Sequence, residues 1–329
     1  MTTHLDDPPV PLESPPCVLC GGDQFDVVYD DARDWFFLKP GRFTVSRCRG
    51  CSLMATRPRP TAEGLGFYYE DTYRHIFRSQ AQLHAPVLRW IPRYRLRTLL
   101  KARSLGPADR VLDVGCGYGA FLKAVRDATG AQAVGVDQDP SNVERAADRD
   151  VITYRLGRFE ELELGNGTFS AVTFIECLEH MPDPVAALRR AHELLAPGGV
   201  VMVEVPNFRS WWRVLFRTTW MPLLVPQHLH HFTPETLARV SQEAGFQTVR
   251  QQSMMFPGEP TASLALWVRR VLRLPPRAQR QGWQELAGLA SFLACALVAV
   301  TIDMPVQFIL RLLGRSGTQV LLGRKPPAP

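Results

Sequence analysis

The chain has 329 residues, of which 46% are hydrophobic and 21% are charged. This composition is ordinary for a globular protein and excludes a fibrous or wholly disordered one, and the length suits one large domain with additions or two domains. The net charge of +6 is modest. Basic runs at 89–103 and 269–280 lack an interleaved aromatic motif, so we interpret them as solvated helix faces and expect no nucleic-acid partner.

The N-terminal region combines a proline-rich stretch with paired cysteines. Residues 1–16 lack the basic start and apolar run of a signal peptide, so we expect a disordered arm and a cytoplasmic location. Two CxxC pairs follow, formed by Cys17, Cys20, Cys48 and Cys51. Four thiolates enclose zinc with no open coordination position, so the pairs predict a structural zinc ribbon over 17–57. Unrelated buried or redox cysteines are the alternative.

A glycine-rich turn carries the most information about the ligand. Residues 110–120, RVLDVGCGYGA, predict a buried strand that ends near Asp113, a tight turn and the start of a helix. The turn contains Gly115, Gly117 and Gly119, which permit positive φ and let a ligand lie against the main chain. The pattern also fits the dinucleotide fingerprint, in which the loop and helix hold a pyrophosphate, so it leaves the ligand open.

Strand-like and helix-like segments alternate after this turn. Strands are predicted at 110–114, 132–137, 151–155, 169–175 and 199–205, and TQVLLGRKP predicts a last antiparallel strand. The alternation indicates a parallel sheet that binds ligands at the carboxyl ends of its strands. Asp137 ends the second strand, where a carboxylate can accept both hydroxyls of a ribose. A helix cap is the alternative for Asp137, although Asp139 or Ser141 supplies a better one.

An uncharged stretch at 286–302 precedes the last strand. As a helix it would be about 26 Å long, slightly short of the hydrocarbon core of a bilayer. An insertion between the last two strands of one sheet does not easily cross a bilayer once. The sequence leaves open a buried helix, a homodimer interface, or a surface-lying helix pair in peripheral contact with a membrane.

Three later segments carry a resemblance to a known family. They are ITYRLGRFEEL, FSAVTFIECLEHMPDPVAALRRAHELLAPGGVVMVEVPN and QHLHHFTPETLARVSQEAGF. With the glycine loop, they resemble class I S-adenosylmethionine (SAM)-dependent methyltransferases, in the branch with an N-terminal zinc ribbon that includes sugar C-methyltransferases. The resemblance covers about 17–256 and the last strand.

The resemblance implies an α/β fold and SAM as the cofactor. The expected fold is Rossmann-like and doubly wound, with a mostly parallel seven-stranded sheet whose last strand is antiparallel. The expected divisions after the ribbon are a helical lid or linker over 58–105, a SAM-binding core over 106–258, a hydrophobic helical insertion over 259–313, and the last strand and tail over 314–329.

The resemblance also assigns residues to the cofactor. The expected SAM-binding residues are Asp113, Gly115, Gly117, Gly119, Asp137, Phe159, Glu160 and Glu176. Asp113 is expected to pair with an amino group, and Phe159 is expected to pack on the adenine. Arg158 replaces an acid that is common in the family, so Glu160 is kept only as a polar contact. Glu176 is expected to face the methionine end of SAM and the site of methyl transfer.

His228 is the candidate general base. It occupies the position where similar sugar C-methyltransferases have a histidine, and a neutral imidazole accepts a proton near physiological pH. His230 and His231 match less well, although repulsion within the cluster would lower the pKa of one of them. Contacts to the backbone or to the next helix are the alternative. Tyr69 lies in the expected lid with Tyr68 and Tyr73, where a tyrosine hydroxyl would bind substrate or SAM unless the ring only packs.

A second arrangement near the fourth strand points to a different chemistry. Glu176, Glu179 and His180 resemble the ExxEH pattern of metal-dependent methyltransferases that act on RNA 3′ ends or on catechol precursors of quinones. A divalent ion held there would lower the pKa of an acceptor hydroxyl. The same segment occurs in metal-free relatives, where Glu179 and His180 support the loop.

Together these features predict a methyltransferase for a small-molecule or glycan-related acceptor, at the inner face of the membrane if the acceptor is lipid-linked. Three alternatives stay open. One is a metal-assisted O-methyltransferase for a catechol-like or prenylated substrate. Another is a non-catalytic SAM-binding module in a membrane-associated complex. The last is an NAD(P) dehydrogenase.

Overall fold

The structure is a computed structural model that describes residues 7–69, 90–255, 258–273 and 304–327. The chain folds into two compact units, and each combines separate stretches of sequence. The ribbon unit comprises the described residues of Met1–Arg74, Pro206–Pro234 and Gln252–Gln319. The core unit comprises those of His75–Val205, Glu235–Gln251 and Val320–Pro329.

The core unit is built on a seven-stranded sheet. Its strands in chain order are β6 (Arg110–Val114), β7 (Gln132–Asp137), β8 (Thr153–Leu156), β9 (Phe169–Ile175), β10 (Leu195–Pro206), β12 (Gln247–Met254) and β13 (Thr318–Arg324). Their spatial order is β12-β13-β10-β9-β6-β7-β8, with parallel pairing from β10 through to β8. The last strand is antiparallel, so the predicted Rossmann-like fold is confirmed.

Helices precede or connect these strands. They are α2 (Trp90–Leu99), α3 (Ala120–Thr129), α4 (Pro140–Glu144), α5 (Pro184–Leu194) and α7 (Pro234–Glu243). In α3, Phe121, Leu122 and Val125 are buried at helical spacing, and Gly130 ends the helix with a φ of 71°. β9 is almost entirely buried, as expected for a central parallel strand whose two faces are both covered.

The ribbon unit contains a four-stranded sheet and several short elements. The sheet has the order β11-β4-β3-β2. The strands of this unit are β1 (Leu12–Glu13), β2 (Phe25–Ala32), β3 (Phe43–Cys48), β4 (Met54–Thr56), β5 (Arg59–Pro60) and β11 (His230–His231), and the helices are α1 (Ala62–Tyr69), α6 (Trp211–Phe216), α8 (Glu259–Val271) and α9 (Met304–Leu312).

The sheet of the ribbon unit gains a strand from far along the chain. In β11, His230 pairs with Ala55 of β4, and His231 pairs with Met54. A buried cluster that includes Phe43, Tyr68 and Trp220 packs within the same unit. The histidine segment is therefore fixed by the fold of the ribbon unit.

Candidate cofactor and active site

The glycine loop follows β6 in the core unit. The backbone N–H groups of Gly115 and Cys116 donate to the carbonyl of Val136 on β7, which fixes the start of the turn. Gly115 has a φ of 71°, and a Cβ added to it would lie 2.6 Å from the Cys177 sulfur. A Cβ on Gly119 would overlap the hydroxyl of Tyr154. These two glycines are thus required by the packing of the loop itself.

Gly117 differs from its neighbours because the space beside it is open. Its φ is 53°, and a Cβ added there would meet no atom within 4 Å. Its N–H donates to Asp137 Oδ2 at 2.9 Å. The main chain at Gly117 is therefore accessible to a molecule that lies on the loop.

Asp137 ends β7, and its carboxylate accepts hydrogen bonds from the glycine loop and from the residues that follow β7. Its Oδ1 accepts from the Asp139 N–H at 2.8 Å and from Asn142 Nδ2 at 3.2 Å. Burial raises the pKa of Asp137, while hydrogen bonds from backbone N–H groups oppose that rise. The cap of α4 is supplied by Asp139, whose side chain accepts from the Ser141 N–H. The capping alternative for Asp137 is therefore wrong, and its role toward a ribose stays a prediction.

Asp113 is buried within the sheet at the end of β6. Its Oδ1 accepts a hydrogen bond from Thr173 Oγ1 at 2.6 Å. Burial raises the pKa of Asp113 to about 7, against the opposing effects of the Thr173 hydrogen bond and the positive charge of Arg95. A positively charged ligand group beside this carboxyl would therefore favour its ionised form near neutral pH.

Glu176 lies at the end of β9 in a backbone conformation that is unusual for glutamate. Its φ is 50°, and its N–H donates to the Glu204 carbonyl at 2.8 Å. Burial raises the pKa of Glu176 well above its usual range, and the charge of Glu179 adds to the effect. A non-glycine residue in the left-handed region often marks a functional site.

The two residues after β8 that are predicted to contact SAM, one aromatic and one acidic, differ in exposure. Phe159 is buried and meets Phe174 edge to face, with ring centroids 5.6 Å apart. Glu160 is exposed, and one carboxylate oxygen lies 4.0 Å from Arg158 Nε. The adenine contact of Phe159 and the polar contact of Glu160 stay predictions.

The histidine segment belongs to the ribbon unit, where each side chain is buried. His228 Nδ1 lies 2.9 Å from the Pro222 carbonyl oxygen. Because a carbonyl only accepts, Nδ1 carries a proton, and in the neutral imidazole Nε2 then carries the lone pair. This is the tautomer that a base needs at Nε2.

His231 is held as a structural residue. Thr56 Oγ1 donates to the His228 carbonyl at 2.7 Å and lies 3.1 Å from His231 Nε2. The pKa of His231 is lowered to about 3, chiefly by burial and only secondarily by His230. Repulsion from His230 lowers this pKa as predicted, although burial is the larger cause. Tyr69 donates from its hydroxyl to the Gln227 carbonyl at 3.4 Å, and Tyr73 lies outside the described residues.

The four paired cysteines converge in the ribbon unit. The sulfurs of Cys17 and Cys51 are 3.4 Å apart, and those of Cys20 and Cys48 are 3.5 Å apart. All four sulfurs lie within 4.8 Å of one another. Tetrahedral zinc with bonds of about 2.3 Å requires sulfurs roughly 3.8 Å apart, so the arrangement fits such an ion.

Comparisons with known proteins agree with this geometry. A sequence model described as a methyltransferase domain matches residues 80–251. A ubiquinone biosynthesis O-methyltransferase from Xanthomonas campestris pv. campestris is 32% identical over 167 residues, which cover 47% of this chain and 70% of the relative. The chain belongs to the methyltransferase-domain family.

Two further proteins are similar to this methyltransferase. A ubiquinone biosynthesis O-methyltransferase from Cereibacter sphaeroides is 32% identical over 158 residues, covering 45% of this chain and 64% of the relative. The crystal structure of a SAM-dependent methyltransferase from Archaeoglobus fulgidus has a TM-score of 0.50 and 18% identity, and the match covers 77% of this chain and all of that one. The family and the relatives identify a SAM-dependent methyltransferase.

One largely buried ion pair of the methyltransferase has no signal in the sequence. Arg95 on α2 makes a bidentate contact with Glu204 on β10, and Nε lies 2.9 Å from Oε1. Interpreting the whole basic run as a solvated face is therefore wrong for Arg95, whose side chain is only 16% exposed and pairs with a residue far along the chain. The backbone of that partner receives the Glu176 N–H, so the pair supports the end of β9.

Gly117→Ala is expected to weaken SAM binding while leaving the free protein folded. The added methyl group contacts no other atom of the loop but occupies space that the ligand would fill. The affinity for SAM should therefore fall about tenfold or more. Gly167→Ala is the matched control, because Gly167 also has a positive φ and open space around it. Calorimetric titration with SAM and thermal unfolding check both variants. Equal SAM affinities in the two variants would contradict the expected position of the ligand.

Asp113→Asn is expected to make the ligand-free methyltransferase less sensitive to pH. Between the ordinary pKa and about 7, the folded state keeps a proton that the unfolded state has lost, so stability falls as pH rises. Asparagine does not titrate and so removes this loss. The free energy of unfolding of the variant, relative to that of wild type, should rise by about 2–3 kcal/mol between roughly pH 5 and pH 8. Asp109→Asn is the control, because the pKa of Asp109 is lowered and this carboxyl group therefore does not titrate in this range. Denaturant unfolding at both pH values measures the difference, and a constant offset for Asp113→Asn would contradict it.

No helix among the described residues is long and apolar enough to cross a membrane. The uncharged stretch 286–302 and Cys295 lie outside the described residues. The sulfurs of Cys116 and Cys177 lie 2.6 Å from the positions that a Cβ would take on Gly135 and Gly115, so each thiol packs closely against a glycine.

Proposed function

We propose that the chain transfers the methyl group of SAM to a hydroxyl oxygen of a small-molecule acceptor, with His228 as the general base. The observation that carries this proposal is the contact between His228 Nδ1 and the Pro222 carbonyl, since it places the lone pair on Nε2. The names of the relatives support oxygen as the accepting atom, because they are O-methyltransferases.

The proposed step is a direct displacement. The acceptor hydroxyl gives its proton to His228 Nε2, and its oxygen forms a bond to the methyl carbon of SAM. The bond between that carbon and the sulfonium sulfur breaks, and its electron pair stays on sulfur to give S-adenosylhomocysteine. The proton then leaves His228 for solvent. A sulfonium methyl is already electrophilic, so alignment and proton removal are the main tasks of the protein.

The cofactor residues have separate tasks in this proposal. The main chain at Gly115, Gly117 and Gly119 would lie along SAM, and Asp137 would accept from its ribose hydroxyls. Asp113 would face the amino group of SAM, because a buried carboxyl with a raised pKa gains most from a cationic partner. Glu176 would form a polar wall beside the methionine end, and Tyr69 would bind the acceptor or SAM through its hydroxyl.

A structural zinc ion completes the proposal. Cys17, Cys20, Cys48 and Cys51 would hold it, because an all-sulfur set with this spacing suits tetrahedral zinc and leaves no position for substrate. When bound, the ion supplies folding energy and no catalysis.

A metal-assisted O-methyltransferase is the second candidate. Glu179 is buried and Glu176 is partly buried, desolvation raises the pKa values of both carboxyl groups, and the relatives are named O-methyltransferases of ubiquinone biosynthesis. A divalent ion at Glu179 and His180 would lower the pKa of the acceptor hydroxyl. Activity that is lost to a mild chelator while the protein keeps its zinc, and restored by magnesium, would favour this candidate.

Labelled SAM tests the proposed function directly. The purified full chain is incubated with methyl-labelled SAM and with the soluble and lipid fractions of a cell extract, and labelled products are identified by mass spectrometry. A labelled small molecule with a new methyl ether supports the proposal, and a labelled glycan would replace it with the glycan-related acceptor. SAM binding without transfer to any fraction would overturn it.

A further inference from the structure

Three helices of the ribbon unit expose apolar side chains to solvent. The exposed residues are Trp211, Val214 and Leu215 on α6; Trp267, Val271 and Leu272 on and after α8; and Phe308, Ile309, Leu312 and Leu313 on and after α9. Large apolar patches on a soluble surface mark interaction sites more often than chance exposure. We call these residues, with the arginines among them, the apolar-arginine face.

The three helices adjoin one another. The N–H of Trp211, at the start of α6, donates to the Arg315 carbonyl just after α9 at 3.1 Å. Asn207 Nδ2 donates to the Ser316 carbonyl at 2.9 Å, which ties the same two segments together. α6 also contacts α8. The exposed side chains therefore belong to one region of one unit.

The charge of this region has one sign. The arginines that carry the argument are Arg213, Arg217, Arg270, Arg273 and Arg315. Within the described segments 207–217, 258–273 and 304–316, the acidic residue is Glu259, which is buried and accepts from Trp220 Nε1 at 2.6 Å. The exposed surface of these segments thus offers positive charge to a partner.

Neutral groups hold two of these arginines in place. Arg213 Nη1 donates to the Tyr29 hydroxyl at 2.9 Å. Arg270 Nη1 donates to Thr218 Oγ1 at 2.7 Å, and its guanidinium lies 5.5 Å from the centre of the Trp35 ring. These contacts orient the guanidinium groups without cancelling their charge, so the groups can still attract an anion.

We propose that the apolar-arginine face docks the protein on the surface of an anionic lipid bilayer. Arginine beside exposed tryptophan and aliphatic side chains is the pattern of elements that lie in a membrane interface. The longest of the three helices is about 20 Å long, which is shorter than the roughly 30 Å hydrocarbon core of a bilayer. It is therefore expected to lie on the membrane surface and not to span it. A second copy fits less well, because a twofold interface would set these arginines against their own copies.

Vesicle flotation of the full chain tests this docking. One set of vesicles contains only phosphatidylcholine, and the other also contains phosphatidylglycerol. Binding should favour the anionic vesicles on the order of a hundredfold or more at low salt, since each arginine near such a surface adds about fivefold and about three in contact give this preference. High salt should reduce this preference. Equal binding to both vesicle types, or binding to neither, would overturn the proposal.

A pair of double variants locates the binding surface. Leu215→Glu with Leu312→Glu changes residues that are 66% and 71% exposed, and binding should fall on the order of a hundredfold. Val27→Glu with Val151→Glu is the matched control, since these valines are 64% and 60% exposed and the charge change is the same. The control should float like wild type, and circular dichroism checks that both proteins fold.

The remaining outcomes separate other occupants of the face. Unchanged flotation of the leucine variant would overturn the proposal, because binding would then come from elsewhere in the chain. If wild type forms a dimer that the leucine variant loses, and neither floats, the face is an interface between copies. The readout does not depend on methyl transfer, so it is independent of the proposed function.

Discussion

Replacing Cys48 with serine is expected to abolish binding of the proposed zinc ion and unfold the sheet of the ribbon unit. Cys48 ends β3, and its backbone N–H donates to the Leu53 carbonyl at 2.9 Å, so one residue links the cysteine cluster to the sheet. Structural zinc contributes about 10–16 kcal/mol in small zinc domains, which is comparable to the whole stability of a typical domain. Loss of one ligand should therefore remove the cooperative unfolding of this unit.

Metal analysis and thermal unfolding measure this effect together. Wild type should carry one zinc per chain, and Cys48→Ser should carry none and lose the cooperative unfolding transition of the ribbon unit. Cys116→Ala is the matched control, because Cys116 is buried but lies outside the four-sulfur cluster. The control should keep its zinc. A Cys48→Ser protein that retains zinc and its unfolding temperature would show that the cluster is not a structural zinc site.

The strands of the core unit could be predicted because each has a local signal. The apolar runs at 110–114, 132–137 and 169–175 are bounded by glycine, aspartate or proline-containing turns, and the structure has strands with these bounds. Strand β8 has a weaker signal because all its residues are at least partly exposed, and its bounds shift from the predicted 151–155 to Thr153–Leu156. Local pattern was sufficient where a strand is buried on both faces.

Long-range pairing could not be predicted from local pattern. The strand His230–His231 has two residues, too few to show any periodicity, and it exists because β4 offers it a partner. Arg95 lies in a basic run that looks solvated, and its ion-pair partner, Glu204, lies 109 residues later. The tautomer of His228 likewise depends on the Pro222 carbonyl, since a short motif does not say which ring nitrogen is bonded.

Replacing His228 with asparagine is expected to abolish most turnover while leaving SAM binding intact. The asparagine amide can donate to the Pro222 carbonyl in place of Nδ1, so the local structure should be kept. It offers no basic nitrogen in place of Nε2. Loss of a general base typically lowers kcat about a hundredfold to ten-thousandfold.

The pH dependence of kcat separates a base from a structural histidine. In wild type, kcat should fall toward acid pH because a base must be unprotonated to act, and His228→Asn should lose this dependence along with its rate. His192→Asn is the control, since His192 packs on Phe246 in the core unit and has no proposed catalytic task. Full turnover in His228→Asn at unchanged SAM affinity would remove His228 from the mechanism. If His228→Asn is as slow as expected but its kcat still falls toward acid pH as in wild type, the base is another residue. The lost rate would then come from altered packing around position 228.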